Sequence, residues 1–421
     1  MNRHLIDRIA LAGLAFALIA PLPAGARDEA ARVARILKAT PLIDGHNDWA
    51  ETARDEAGDK RWTLDLTNLP APYNTDITRL KAGMVGGQFW SVFVDADKPG
   101  LVQVEQTLEQ IDWVKSTIAR YPETFELART AADVRRIHAQ GKIASMIGVE
   151  GGGQIDGNMS VLRAYRDLGA SYLTLTHVKT ISWADSATDN PQHNGLTPLG
   201  KQVVHELNRL GMLVDLSHVS EATMRDALAV SKAPVIFSHS SARGIDGHTR
   251  NVSDDILKRV AANGGVVMVN FAEPYISEAY RLWAAEAAAE KTRLNAPPCG
   301  GLFVGEPDRA AAAYADWLKT HPTPRVTLTQ VADHIDYIAK VAGVDHVGLG
   351  SDFDGVGNQL PDGLSSVATY PALLAELLRR GWSEVDVAKL AGGNVLRVMD
   401  QVERVARDMA KEPFFTPPVA R

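Results

Sequence analysis

"TPLGKQVVHELNRLGMLVDLSH", residues 197–218, carries a helix and a strand in one piece of chain. Thr197 suits a helix N-cap, Pro198 the first helical position and Gly211 the stop. Leu199, Val203, Leu207 and Leu210 fall on one apolar stripe of that helix. The run that follows, "MLVDLSH" (212–218), is short, apolar and ends on a histidine. Upstream stands "YLTLTH" (172–177) and downstream "PVIFSH" (234–239), each closing on a histidine again.

The alternation continues outward in both directions. Further runs of the same kind are "LIDGH" (42–46), "GGQFWSVFV" (86–94), "IASMIGVE" (143–150), "GVVMVN" (265–270) and "HVGLGSD" (346–352). Nearly all-apolar strands separated by helices imply a parallel sheet covered by helices. Eight such strands predict an α/β fold, a (β/α)8 TIM-type barrel. An open doubly wound sheet is the alternative, but no G-x-G-x-x-G fingerprint follows a strand. "EGGG" (150–153) reads as a turn. Residues 272–325 break the rhythm with two Ala-rich helical stretches around a Pro/Gly hinge, a helical insertion before the eighth strand. A lid, a substrate wall, a packing elaboration and a contact in a homodimer are all open for it.

The bulk numbers fit one large domain. The chain has 421 residues, 45% hydrophobic and 23% charged, with a formal net charge of -7. That acidity and the absence of a basic run argue against a nucleic-acid partner. Residues 1–26 read as a secretory signal peptide: Arg3 and Arg8, an apolar stretch from Ile9 to Ala20, then Ala24-Gly25-Ala26. The mature domain would be 27–421, exported to the periplasm or beyond, with no stable membrane span after cleavage. The single cysteine, Cys299 in "APPCGG", excludes an internal disulfide.

The strand ends carry the chemistry. His46 and Asp48, Glu150, His177, His218, His239 and Asp352 all sit there. Barrel strands converge at their C-terminal ends on the catalytic face. His46 and Asp48, two apart, can point to one side, although a polar turn capping the next helix would use the same residues. Imidazoles and carboxylates suit zinc and similar divalent ions. His46, Asp48, Glu150, His218 and His239 exceed the needs of one open catalytic ion. They fit two, about 3.5–4 Å apart, with Glu150 as the bridge and a hydroxide between them as nucleophile.

At these residues the chain resembles the membrane dipeptidase (renal dipeptidase) family of amidohydrolase-type metal-dependent barrels. The resemblance rests on "LIDGHND", "GGQFWSVF", "GVEGG", "LTLTH", "DLSH", "PVIFSHSSAR", "RNVSDD" and "GLGSDFDGV" and covers most of the chain. It implies two zinc ions, one on His46 and Asp48, the other on His218 and His239, with Glu150 shared. It implies that His177 contacts the scissile carbonyl, that Arg250 holds the substrate carboxylate and that Asp352 is the acid/base. Asp354 could face the same way or serve only as a turn cap. The implied substrates are dipeptides, L-Xaa-L-Xaa and L-Xaa-D-Xaa. Alternatives on the same metal site are a related amidase, a lactamase or an N-acyl-amino-acid deacylase; a more distant one is a periplasmic peptide-binding protein.

Overall fold

The computed structural model describes residues 24–413. The leader reading, on residues 1–26, falls almost wholly outside them. Nine parallel strands form the sheet: β1 (Leu42–Asn47), β2 (Val85–Phe93), β3 (Phe125–Leu127), β4 (Ile143–Glu150), β5 (Ala170–Thr174), β6 (Leu213–Asp215), β7 (Ile236–Phe237), β8 (Val266–Val269) and β9 (Val347–Leu349). Eight of them close a barrel, because β1 pairs with both β2 and β9, and β2 pairs with β4 from Gly87 to Phe93. The ring therefore runs β1-β2-β4-β5-β6-β7-β8-β9 and back. β3 stands outside it. It pairs only with Ile143–Ser145, and three residues are too few to show a periodic signal in the sequence.

The opening stretch folds as read. A helix runs from Pro198 to Leu210, the Thr197 hydroxyl accepts from Gly200 N at 3.3 Å, and Gly211 closes it at φ 67°. Strand residues alternate between two packed layers. Ile43, Phe89, Met146, Tyr172, Ile236 and Met268 share one buried cluster, and their chain neighbours Leu42, Trp90, Ile147, Leu173, Phe237 and Val267 share the other. The first layer is the barrel interior: the Phe89 and Tyr172 rings meet at 5.4 Å, and the Tyr172 hydroxyl donates to Gly45 O at 3.4 Å across the barrel.

Several strands are shorter than the apolar runs suggest. β5, β6, β7 and β9 stop two or three residues before His177, His218, His239 and Asp352. The chain must leave the sheet for these side chains to converge. His218 at φ 68° and Asp352 at φ 67° occupy the left-handed region, which a strand cannot contain.

The stretch 272–325 holds the helices Glu273–Ile276, Glu278–Leu294 and Pro307–Thr320. No described helix is long and apolar enough to cross a membrane.

Candidate metal centre

His46 and Asp48 answer the question their spacing raises. β1 continues through His46 to Asn47, and Asp48 precedes the helix Trp49–Ala57 without capping it. The neighbouring Asn47 side chain takes the turn bond instead, accepting from Trp49 N at 3.0 Å. Asp48 Oδ2 is thereby left 3.2 Å from His46 Nε2. Gly355 permits this corner, since a Cβ there would lie 2.2 Å from Asp48 Oδ2.

Glu150, the last residue of β4, stands in the middle. Its Oε2 is 3.3 Å from His46 Nε2. Its Oε1 is 3.0 Å from His218 Nε2, 3.3 Å from His239 Nε2 and 3.9 Å from His177 Nε2. Each carboxylate oxygen thus faces a different set of imidazoles. Among the described residues, three overlapping groups place their ligand atoms within 4.8 Å of one another: His46–Glu150–His239, Glu150–His177–His218 and His46–Asp48–Asp352.

The donor set fits divalent cations. His218 Nε2 and His239 Nε2 are 2.8 Å apart. Ser238 Oγ donates to Asp215 Oδ2 at 2.6 Å and so receives the Nδ1–H of His239 at 2.8 Å. That leaves a lone pair on His239 Nε2, aimed at a neighbouring imidazole nitrogen. A cation relieves such a contact. The Tyr172 hydroxyl sets His46 in the same way: it donates to Gly45 O and receives Nδ1–H at 2.8 Å, turning the Nε2 lone pair toward Asp48 and Glu150. Metal-ligating histidines are held by such partners on their other nitrogen.

Charge agrees with geometry. Burial, then the neighbouring Arg250 and His177, hold His218 well below the ordinary imidazole range. Burial and His46 do the same for His239. Neutral rings are the ligating form. His46 goes the other way: burial lowers it, but Glu150, Tyr172 and Asp48 together outweigh burial. This ring takes a proton unless a cation stands in its place.

Asp352 projects from beyond β9. Its Oδ2 accepts from Asn270 Nδ2 at 2.7 Å. Burial first, and then the charges of Asp48 and Glu150 against the opposing pull of His46, push its carboxyl up to about 7. Asp354 has another task. Its Oδ1 accepts from Asn74 N at 2.7 Å and its own N–H donates to Asn74 Oδ1 at 3.1 Å, tying two loops together. This is neither a place among the cluster groups nor a local turn cap, but a tie between distant loops.

Arg250 is buried beside the cluster. Its Nη2 donates to His239 O and its Nη1 to Ser240 Oγ, both at 3.2 Å, while Nε makes no hydrogen bond. It makes no bond to Ser253, Asp254 or Asp255, so it does not cap the helix Asp254–Asn263. Its guanidinium lies 5.3 Å from the Tyr275 ring. Tyr275, Asp48, Glu150, His177, His218 and Asp352 line one chamber of about 310 Å³.

The chain matches the family model of membrane dipeptidases (peptidase family M19) over residues 30–413. The chain belongs to that family. It is a metal-dependent dipeptidase. Among solved structures, it resembles the probable dipeptidase PvdM from Pseudomonas aeruginosa, with 26% identity, 90% of this chain and 100% of that one covered, and a TM-score of 0.76. A metallopeptidase from Rhodobacter sphaeroides, liganded with a phosphinate mimic of L-Ala-D-Ala, aligns at 25% identity over 86% of this chain and 99% of its own, TM-score 0.69. A third metallopeptidase, dipeptidase AC, gives 25%, 86%, 99% and 0.68.

Some residues that build this dipeptidase's site escaped the sequence reading. Tyr172, Ser238, Asp215 and Asn270 lie inside strand runs or next to ligands and look there like ordinary strand or turn residues. Only the fold shows which residue of the cluster each one holds. Tyr172→Phe preserves the ring and its packing but strands the buried Nδ1–H of His46. Metal affinity should fall about 10–100-fold, read by competition with a chromogenic chelator. Unchanged affinity would remove Tyr172 from the site.

Proposed function

We propose that this dipeptidase binds two zinc ions, shares them through Glu150, and hydrolyses free dipeptides outside the cytoplasm. The observation that carries the two-ion reading is the split of Glu150. Oε2 serves the His46–Asp48 corner and Oε1 the His218–His239 corner. Nitrogen and carboxylate donors in this mixture suit zinc. Such a pair of ions supplies a water-derived nucleophile at neutral pH and polarises a carbonyl.

The chain's own groups do the rest. His177 borders both Glu150 and the chamber, where its ring can support the oxygen of the scissile carbonyl. Asp352 is steadied at Oδ2 by Asn270, so its other oxygen is free to take a proton and return it to the departing amine. L-Xaa-L-Xaa and L-Xaa-D-Xaa are the expected substrates, the latter in keeping with the ligand of the Rhodobacter relative. Export rests on the leader-like residues 1–26. Intact-mass measurement of the exported chain should give Arg27 as its first residue; a retained Met1 in membrane fractions would contradict it.

Arg250 would set the length of the substrate. Two of its N–H groups are engaged at 3.2 Å, Nε makes no hydrogen bond, and the paired donors of a guanidinium match a carboxylate. One residue beyond the scissile bond fills the distance to such a clamp. Replacing it, Arg250→Met, should lower kcat/KM on a free dipeptide by about 2–4 kcal/mol. The wild type should discriminate likewise against the same dipeptide amidated at its C-terminus. Equal cleavage of acid and amide by the wild type, or an equal loss on both in Arg250→Met, would move the clamp elsewhere.

A further inference from the structure

The chamber over the metal cluster does not end there. Glu51, Phe93, His177 and Val178 border both it and an outer hollow of about 520 Å³, so they form a neck between the two. The neck sits over the ends of β1, β2 and β5. Arg250 and Tyr275 follow β7 and β8, on the other side of the barrel mouth in the strand order β1-β2-β4-β5-β6-β7-β8-β9. A dipeptide whose carboxylate lies at Arg250 therefore sends its amino-side residue toward the neck, and that side chain has the outer hollow to enter.

Three carboxylates, Glu51, Asp55 and Asp95, line that hollow, with Arg54 and Lys98 as the cations. Arg54 is already committed: Nε donates to Asp55 at 2.8 Å, Nη1 to Phe93 O at 3.2 Å and Nη2 to Glu51 at 3.3 Å. That last contact is the only hydrogen bond the Glu51 side chain makes among the described residues, and it is long. Glu51 lies at the neck itself, one helical turn after Asp48 in the helix Trp49–Ala57. We propose that Glu51 is a specificity-determining residue that selects a positively charged side chain, Arg or Lys, on the amino side of the scissile bond. The selection rests on the dipeptidase reading above and on Arg250 fixing the substrate's direction. An ammonium or guanidinium passing the neck meets an acidic wall, Glu51 first and then Asp55 and Asp95 in the outer hollow. The neutral walls of the neck, Phe93 and Val178, accommodate the aliphatic stem of either side chain.

The test compares arginyl-alanine with citrullyl-alanine, which match in shape and differ in charge, on the metal-loaded enzyme. The wild type should favour the arginyl substrate by about 10-fold or more in kcat/KM. Glu51→Gln should bring the two within about 2-fold, and Glu51→Lys should invert the order. Because the readout is a ratio, a general loss of activity in a variant cancels. Calorimetry with non-hydrolysable phosphinate isosteres of both dipeptides should give the same ranking without turnover. A wild type indifferent to the charge, or a preference that survives Glu51→Gln, overturns the assignment while leaving the dipeptidase reading intact. If the wild type cleaves alanyl-alanine but neither of these substrates, this assignment alone falls; if it cleaves no dipeptide, the reading it rests on falls with it.

Discussion

Glu150→Ala should leave a folded chain that holds less than one zinc and has lost dipeptidase activity by about 10³-fold or more, since the nucleophile and the Lewis acid go with the metal. The expectation follows from position. Among the described residues, the two oxygens of Glu150 reach separate imidazoles, His46 on one side and His218 with His239 on the other. On the proposed two-ion reading, removing it takes a ligand from both ions at once. It also brings buried imidazoles together without a charge to balance a cation between them. His218→Ala should be milder in metal content and mainly empty one site. Metal analysis after gel filtration, with circular dichroism to confirm the fold, distinguishes the cases. Two tightly held zinc ions in Glu150→Ala would refute the bridge.

Asp352→Asn should lower kcat by about 10²–10⁴ while metal is largely retained, because the amide keeps the shape but cannot accept a proton. The Asn270 Nδ2 donor at 2.7 Å can still be met by the amide oxygen, so the loop beyond β9 should hold its place. The pH dependence gives an independent check. A general base must be ionised, and burial with the charges of Asp48 and Glu150 raises the pKa of Asp352. Activity that depends on it is present above that pKa and lost as pH falls through it. This acid limb of the kcat profile should disappear in Asp352→Asn. A variant with near-normal kcat would pass the proton to another group; one that loses its metal would make Asp352 a ligand, as its place beside His46 and Asp48 permits.

The sequence by itself determined the barrel and which imidazoles and carboxylates gather at its mouth. Apolar runs repeating between helices leave few alternatives, and histidines or carboxylates at their ends are visible because polar residues there break an apolar pattern. His46, Asp48, Glu150, His177, His218, His239 and Asp352 were all legible in this way. The tertiary structure alone decided the rest. β3 was hidden because a three-residue strand has no period. Tyr172 was hidden because in "YLTLTH" it reads as one more inward-facing strand residue, and only barrel closure brings its hydroxyl to His46 from a strand 126 residues away. Asp215 and Asn270 were hidden for the same reason. Asp354 shows the converse. Two residues from Asp352, it could have faced the same way, yet with its backbone at φ 68° it bonds Asn74, 280 residues distant in the chain. Glu51 carried no signal in the sequence, and only the neck between the two hollows gives it a place. Spacing along a chain reports which residues share a strand end or a helix face. What stands opposite them is set by long-range closure, and it is there that second partners, chamber walls and charge environment are assigned.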